Sequence, residues 1–189
     1  TYRTGGNLLV TRPADAAAVD PANLDLGAQL SLEGNNVRVE GSIIAPSGKV
    51  AIASIEDLVL TAGSLINVAG RAVAFFDVTK YSFGGAVSLE SAEGNVQQSA
   101  GNRINVSAPY SDAGKLEATA ANGTVDLAGE LVARNPEEDP EGEGEGGTIR
   151  IKANTLPGFV ALNQRLSDGG FDYLRGFETN EGDLTLGKE

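Results

Sequence analysis

The stretch GSIIA at residues 41–45 returns along the chain as GSLIN at 63–67, GNRIN at 101–105 and GELVA at 129–133. In each copy a glycine is followed, three residues later, by isoleucine or valine. A phrase that returns in this way is typical of repetitive folds, in which each repeat packs against its neighbours. The segments that flank each copy should therefore recur as well.

Two short segments with a period of two precede the copies. Their inward pairs are Leu30/Leu32, Val50/Ile52, Val87/Leu89, Leu116/Ala118 and Ile149/Ile151 in the first segment, and Val37/Val39, Leu58/Leu60, Val96/Gln98 and Val125/Leu127 in the second. This alternation is typical of half-buried strands. Turn residues such as Asn122-Gly123 separate the segments. A glycine opens each repeat, at Gly27, Gly48, Gly85, Gly114 and Gly147.

Three strands of about five residues bury little on their own, but they form a core when wound into one turn and stacked about 4.8 Å from the next. The sequence therefore predicts an all-β fold, a right-handed parallel β-helix with loop insertions and one short helix. An antiparallel sandwich is the main alternative, although it does not require a repeat of three strands.

The repeated phrase also predicts which side chains face the core. We expect Ile44, Ile66, Ile104 and Val132 to stack inside, and the residues that follow them, Ala45, Asn67, Asn105 and Ala133, to face outward. The residue directly before each of these inward residues is Ile43, Leu65, Arg103 or Leu131. Because Arg103 would not be buried unpaired, we expect all four to face outward. A corner with a backbone conformation that glycine adopts easily is indicated by Gly41, Gly63, Gly101 and Gly129. We expect Asn67 and Asn105 to satisfy a turn rather than to form an outward polar ladder.

Insertions lengthen some repeats, at about 71–84, at 109–113 and at 135–146. The first insertion contains Phe75, Phe76, Tyr81 and Phe83 and predicts an extra strand pair or a loop outside the repeats. Aromatic rings left exposed there would mark a docking site for a carbohydrate or another partner. Further along, Phe159, Leu162 and Leu166 have the spacing of an amphipathic helix, entered by Pro157.

The third insertion places six carboxylates within residues 137–145. Clustered oxygen ligands suit Ca²⁺. However, the glycine-aspartate pattern of calcium-binding repeats and the EF-hand loop are both absent, which favours a solvated insertion. Acidic pairs could also cleave glycosidic bonds, but Glu33, Glu40, Asp126 and Glu130 are scattered along the strands. We therefore expect no catalytic, cofactor-binding or metal-ligating residues, and no enzyme activity.

Composition excludes several kinds of site. The 189 residues include no Cys, His, Met or Trp, which excludes disulfides, Cys/His metal sites and His-dependent triads. The net charge of −12 opposes binding to nucleic acids. The chain lacks an apolar run long enough to span a membrane. From the character of its two ends we expect residues 1–189 to be one β-helix segment of a longer protein.

Several phrases resemble the filamentous haemagglutinin family, the large exoproteins of bacterial two-partner secretion systems. The residues that carry the resemblance are GKVAIAS at 48–54, LVLTAGSLINVAG at 58–70, GKLEATA at 114–120, LPGFVALNQRL at 156–166 and GDLTL at 182–186. The resemblance covers most of residues 27–187. It also identifies residues 155–181 as a family-type insertion with a short helix.

The resemblance implies a secreted adhesin-like protein at the surface of a Gram-negative bacterium. Such a chain would cross the outer membrane through a secretion partner and act as a stiff rod in cell adhesion. Its target would be a glycan or protein on a host or neighbouring cell. The alternatives are a carbohydrate-active β-helix enzyme, or the stalk of a contact-dependent toxin or haem-acquisition exoprotein.

Overall fold

The computed structural model describes residues 1–13, 19–134 and 144–185. In chain order the strands are β1 (Tyr2–Arg3), β2 (Leu8–Val10), β3 (Gln29–Gly34), β4 (Val37–Val39), β5 (Ser42–Ile44), β6 (Lys49–Ser54), β7 (Leu58–Leu60), β8 (Leu65–Asn67), β9 (Ala72–Phe75), β10 (Val78–Tyr81), β11 (Ala86–Ser91), β12 (Val96–Gln98), β13 (Arg103–Asn105), β14 (Lys115–Leu127), β15 (Glu130–Val132), β16 (Thr148–Thr155) and β17 (Leu174–Thr179). The described part of the chain has one α-helix, α1 (Phe159–Asp168), and a short 3-10 turn at Pro21–Asn23.

The strands pair in three ladders, and every pair within a ladder is parallel. The first ladder joins β1, β3, β6, β11, the first half of β14, β16 and β17. The second joins β2, β4, β7, β12 and the second half of β14, and the third joins β5, β8, β13 and β15. A complete repeat contains one strand, or one half of β14, from each ladder. This largely parallel all-β arrangement is consistent with a β-helix and contradicts the antiparallel sandwich.

The predicted register of the first two ladders is confirmed. Leu30, Val50, Val87, Leu116 and Ile149 are aligned in successive strands of the first ladder. The second ladder aligns Val37 with Leu58, Val96 and Val125 in the same way. Apart from Leu30, which is half-buried, these side chains are buried in one continuous core.

The predicted register of the third ladder is wrong in its first and last strands. Ile43 and Leu131, expected to face outward, are aligned with Ile66 and Ile104 and are buried with them. Ile44 and Val132, expected inside the stack, are aligned with Asn67 and Asn105, although Val132 is buried as expected. Ala45 and Ala133, expected to face outward, are buried. In the middle two strands the prediction holds.

Turn length explains this shift. The turn before the third strand has two residues in the outer repeats, 40–41 and 128–129, and four in the middle repeats, 61–64 and 99–102. In the long turns Gly63 and Gly101 have φ values of +80° and +85°, which favour glycine. In the short turns Gly41 and Gly129 are explained by a lack of space for a side chain. A Cβ on Gly41 would lie 2.9 Å from the carbonyl carbon of Thr11, and one on Gly129 would overlap Gln98.

A second glycine column opens the repeats, largely as predicted. Gly48, Gly85, Gly114 and Gly147 directly precede residues that are aligned in the first ladder. A Cβ on Gly114 would overlap the carbonyl oxygen of Gly85. The column therefore lets successive backbones stack closely. In the earliest of these repeats Ala28, and not Gly27, stands next to the first aligned strand residue.

A polar side-chain ladder supports the turn between the first and second strands. The Oδ1 atom of Asn36 accepts a hydrogen bond from the backbone N–H of Asp57 at 3.2 Å. The Oδ1 atom of Asp57 accepts from the backbone and side-chain nitrogens of Asn95 at 2.9 Å. Asn95 in turn accepts from the backbone N–H of Thr124 at 2.9 Å. Each repeat thus satisfies donors of the next.

The turn predicted at Asn122-Gly123 is absent as a separate element. Strand β14 runs through it from the first ladder into the second, with an irregularity in its pairing between Ala120 and Thr124. A Cβ on Gly123 would overlap the carbonyl oxygen of Gly94 in the neighbouring repeat. The glycine is therefore explained by the close approach of the neighbouring repeat, as well as by the bend of β14 between the two ladders.

Helix α1 is confirmed, and Phe159, Leu162 and Leu166 are its buried residues. It lies against the last strands of the second and third ladders. Arg165 donates to the carbonyl oxygen of Leu127 at 2.6 Å, and the backbone N–H of Ala133 donates to Gly169 at 2.7 Å. The helix therefore covers strand edges that would otherwise be free. In the described part of the chain, no helix has the length and apolar character needed to cross a membrane.

Three strands of the ladders were not predicted. At the start of the chain, β1 and β2 add one more repeat to the first and second ladders. Near its end, β17 lies inside the predicted insertion 155–181 and extends the first ladder beyond β16.

Candidate interaction surface at the insertion edge

All three insertions leave the stack at the same corner. The connections from the third ladder to the next strand of the first ladder are residues 45–48, 68–85, 106–114 and 133–147. Since the ladders stack these connections one above another, the described parts of the inserted segments are neighbours in space. We call residues 71–84, 109–113 and 144–146 the insertion edge.

The first insertion is an antiparallel hairpin of β9 and β10, which confirms the predicted extra strand pair. Its base is fixed to the stack by hydrogen bonds. The Oγ atom of Ser82 lies 2.8 Å from that of Ser47 and accepts from the backbone N–H of Arg71 at 2.9 Å. The Arg71 guanidinium donates to the carbonyl oxygen of Leu24 at 2.9 Å. The hairpin thus projects from a rigid attachment.

The aromatic rings of this hairpin are exposed. Relative exposure is 56% for Phe75, 107% for Phe76, 41% for Tyr81 and 63% for Phe83. Phe75 and Tyr81 lie on opposite faces of the ribbon, because Phe75 is aligned with Val78 and Tyr81 with Ala72. A two-stranded ribbon with both faces in solvent buries little apolar area of its own. The rings therefore contribute more to the surface than to the core.

The second insertion contacts the first. The rings of Tyr81 and Tyr110 lie with their centroids 4.9 Å apart at an angle of 48°. The backbone N–H of Gly84 donates to the carbonyl oxygen of Asp112 at 2.9 Å. Aromatic pairs at this centroid distance stabilise beyond the area they bury. The two insertions therefore form one continuous surface.

The end of the third insertion joins the same surface. The backbone N–H of Glu145 donates to the Asp112 carboxylate at 3.0 Å, and Ala113 donates to the carbonyl oxygen of Glu145 at 2.9 Å. Most of the predicted calcium-binding candidate, residues 137–145, lies outside the described residues. Within the described ranges, no group of three or more acidic, His or Cys side chains is arranged to hold a metal ion.

The four carboxylates considered for glycosidic chemistry are not brought together. Glu33 lies in the first ladder, Asp126 in the second, Glu130 in the third and Glu40 in a turn. Three of them approach arginines: Glu33 with Arg3 at 3.1 Å, Glu40 with Arg38 at 2.6 Å and Glu130 with Arg103 at 3.6 Å. They form no carboxylate pair that could flank one bond.

The two asparagines of the repeated phrase satisfy turns, as predicted. Asn67 accepts from the backbone N–H of Ala69 and Asn105 from that of Ser107, each at 3.0 Å. Each asparagine thereby fixes the start of the corner from which the insertions leave.

The insertion edge offers exposed aromatic rings on loops that are anchored to the stack by backbone hydrogen bonds. Exposed rings can stack on the apolar face of a sugar or pack against a partner protein. Comparison of the chain with protein-family models, with curated proteins and with solved structures gave no match.

Proposed function

We propose that this chain is a right-handed parallel β-helix segment of a secreted bacterial surface exoprotein of the filamentous haemagglutinin type. In that protein it acts as a stiff rod that supports cell adhesion. The parent chain reaches the cell surface through an outer-membrane secretion partner. The target of adhesion is a glycan or protein on a host or neighbouring cell.

Three parallel ladders support the architectural part of this proposal. Each repeat hydrogen-bonds to the repeats on both sides, so the stack resists bending over its length. Parallel strands joined by crossover connections are right-handed in nearly all proteins, which supports that hand. The absence of Cys from the sequence suits a chain that threads through a pore before folding.

The single observation that supports a role in adhesion is the exposure of aromatic side chains at the insertion edge. Phe76 and Phe83 are 107% and 63% exposed, on a hairpin whose base is fixed to the stack. Exposed aromatic groups on a rigid support are typical of binding surfaces, because the rings bury a large area with little loss of conformational entropy.

The test is saturable binding of the 189-residue chain to a panel of cells and glycans. The variant Phe75→Ser/Phe76→Ser/Phe83→Ser removes three exposed rings, and Tyr173→Ser is the control, since Tyr173 is 61% exposed outside the insertion edge. We expect the triple variant to lose binding at least about tenfold and the control to keep it.

Two further arms locate the binding surface more closely. A chain without residues 136–143, and the intact chain with Ca²⁺ or a chelator, test the acidic insertion. We expect neither to change binding. Binding lost in both arms would move the site to the acidic segment. No binding by the intact chain would contradict adhesion by this segment.

A further inference from the structure

A cleft of about 470 Å³ lies between the outer face of β15 and helix α1. Three arginines from different parts of the fold line it: Arg103 from β13, Arg134 from the segment after β15 and Arg165 from α1. Glu130 and Asp168 also line the cleft. Among these lining side chains, three positive charges therefore face two negative ones, in a chain whose net charge is −12.

Within the described residues the three arginines use few of their donors. The Nε atom of Arg103 lies 3.6 Å from the Glu130 carboxylate, which is too far for a good hydrogen bond. Arg134 reaches Asp172 only at 3.8 Å and the carbonyl oxygen of Gly144 at 3.3 Å. Arg165 has one short bond, to Leu127. Each guanidinium carries five N–H donors, so most of them point to no acceptor among the described residues.

Two of these donors are also shielded from solvent. The Nε atoms of Arg103 and Arg165 are buried and have no hydrogen-bond partner in the described part of the chain. A buried donor without an acceptor is unfavourable, and more so when it is charged. An anion in the cleft would lie beside the same two guanidinium groups and would offset this cost through its charge.

We propose that this cleft is a binding site for the carboxylate group of a small ligand. A carboxylate matches the planar donor fork of arginine with two parallel hydrogen bonds. Its single negative charge balances the single excess positive charge of the lining residues, whereas a doubly charged phosphate would exceed it. Ala128, Gly129 and Val132 add small apolar surface beside the charged groups. The cleft borders the insertion edge, since Arg134 donates to Gly144, but its binding does not depend on the proposed adhesion.

The test is a titration of the 189-residue chain, followed by NMR signals of the arginine Nε–H groups. Glucuronate and N-acetylglycine supply a carboxylate on a sugar and on a peptide unit. Glucose and N-acetylglycinamide are their neutral counterparts. We expect saturable shifts of the Arg103 and Arg165 signals with one or both acids, and none with the neutral compounds. The stronger acid identifies the ligand source.

Three variants sharpen the test. Arg103→Gln removes a donor group without disturbing the bond between Arg165 and Leu127, and we expect about tenfold weaker binding. Glu130→Gln removes a competing carboxylate, so we expect tighter binding. Arg150→Gln is the charge-matched control, because Arg150 lies in the first ladder, and we expect no change.

Three results would overturn the proposal. The first is no saturable shift with either acid. The second is an equal loss of binding in the Arg103 and Arg150 variants. The third is inorganic phosphate binding more tightly than both acids, which would assign the cleft to a different anion. Thermal unfolding of each variant separates loss of the site from loss of the fold.

Discussion

The stacked ladders and the hairpin of β9 and β10 are both built from strands, yet they use their side chains in opposite ways. In the third ladder Ile66 and Ile104 are fully buried, and each is covered by the residue aligned with it. In the hairpin Phe75 and Phe76 are exposed by 56% and 107%. Apolar residues thus stabilise the fold where neighbouring repeats cover them and form a surface where the chain leaves the stack.

The largest effect is expected at the centre of the third ladder. Ile104→Ala leaves a cavity between Ile66 and Leu131, and we expect the free energy of unfolding to fall by about 3 kcal/mol. Ile55→Ala is the matched control, since Ile55 is 49% exposed, and it should cost under about 1 kcal/mol. Urea denaturation measures both. Similar losses in the two variants would contradict the ladder register.

A smaller loss is expected in the glycine column. Gly114→Ala places a Cβ against the carbonyl oxygen of Gly85, and we expect a loss of about 2 kcal/mol as the repeats move apart. Gly5→Ala, where a Cβ meets nothing within 4 Å, should be nearly neutral. Urea midpoints again give the comparison. An unchanged midpoint for Gly114→Ala would show that the repeats are not stacked this closely.

The polar turn ladder should contribute less than the core. Asp57→Ala removes the acceptor of two hydrogen bonds from Asn95, and we expect a loss of about 1–2 kcal/mol. Asp57→Asn keeps an oxygen at this position and should retain most of the stability, as Asn36 and Asn95 do in the repeats on either side. Equal losses in both variants would show that charge, rather than the hydrogen bonds, is the stabilising factor.

The smallest effect is expected in the hairpin. Replacing residues 72–81 with a short Gly-Ser linker should change the free energy of unfolding by under about 1 kcal/mol, because little buried area is lost. In the intact chain, hairpin amides should exchange with solvent much faster than those of β11. A loss as large as that of Ile104→Ala would mean that the hairpin is part of the core.

The first two ladders could be predicted because their side chains alternate with a period of two over several repeats. The third could not be placed fully, because the four copies of the phrase look alike while their preceding turns differ in length. Gly41 and Gly63 occupy similar positions in the sequence, but only Gly63 has a positive φ. The repeat of β1 and β2 is too short for alternation to identify it.

The candidate surfaces were predicted less completely than the fold. The aromatic content of the first insertion is evident from the sequence, but the contact between Tyr81 and Tyr110 depends on how two insertions lie after stacking. The arginine cleft gave no local signal, because Arg103, Arg134 and Arg165 are far apart in the chain. Only the pairing of β13 with β15 and the position of α1 bring them together.

The connection between the third and first ladders can change in length while the strands on either side stay in place. The connection at that corner extends from residues 45–48 in one repeat to residues 68–85 in the next, while the ladders keep their alignment. Insertions and deletions in the gene can therefore alter one side of the molecule without altering the core. The same property makes residues 109–113 a suitable position for grafting a foreign peptide.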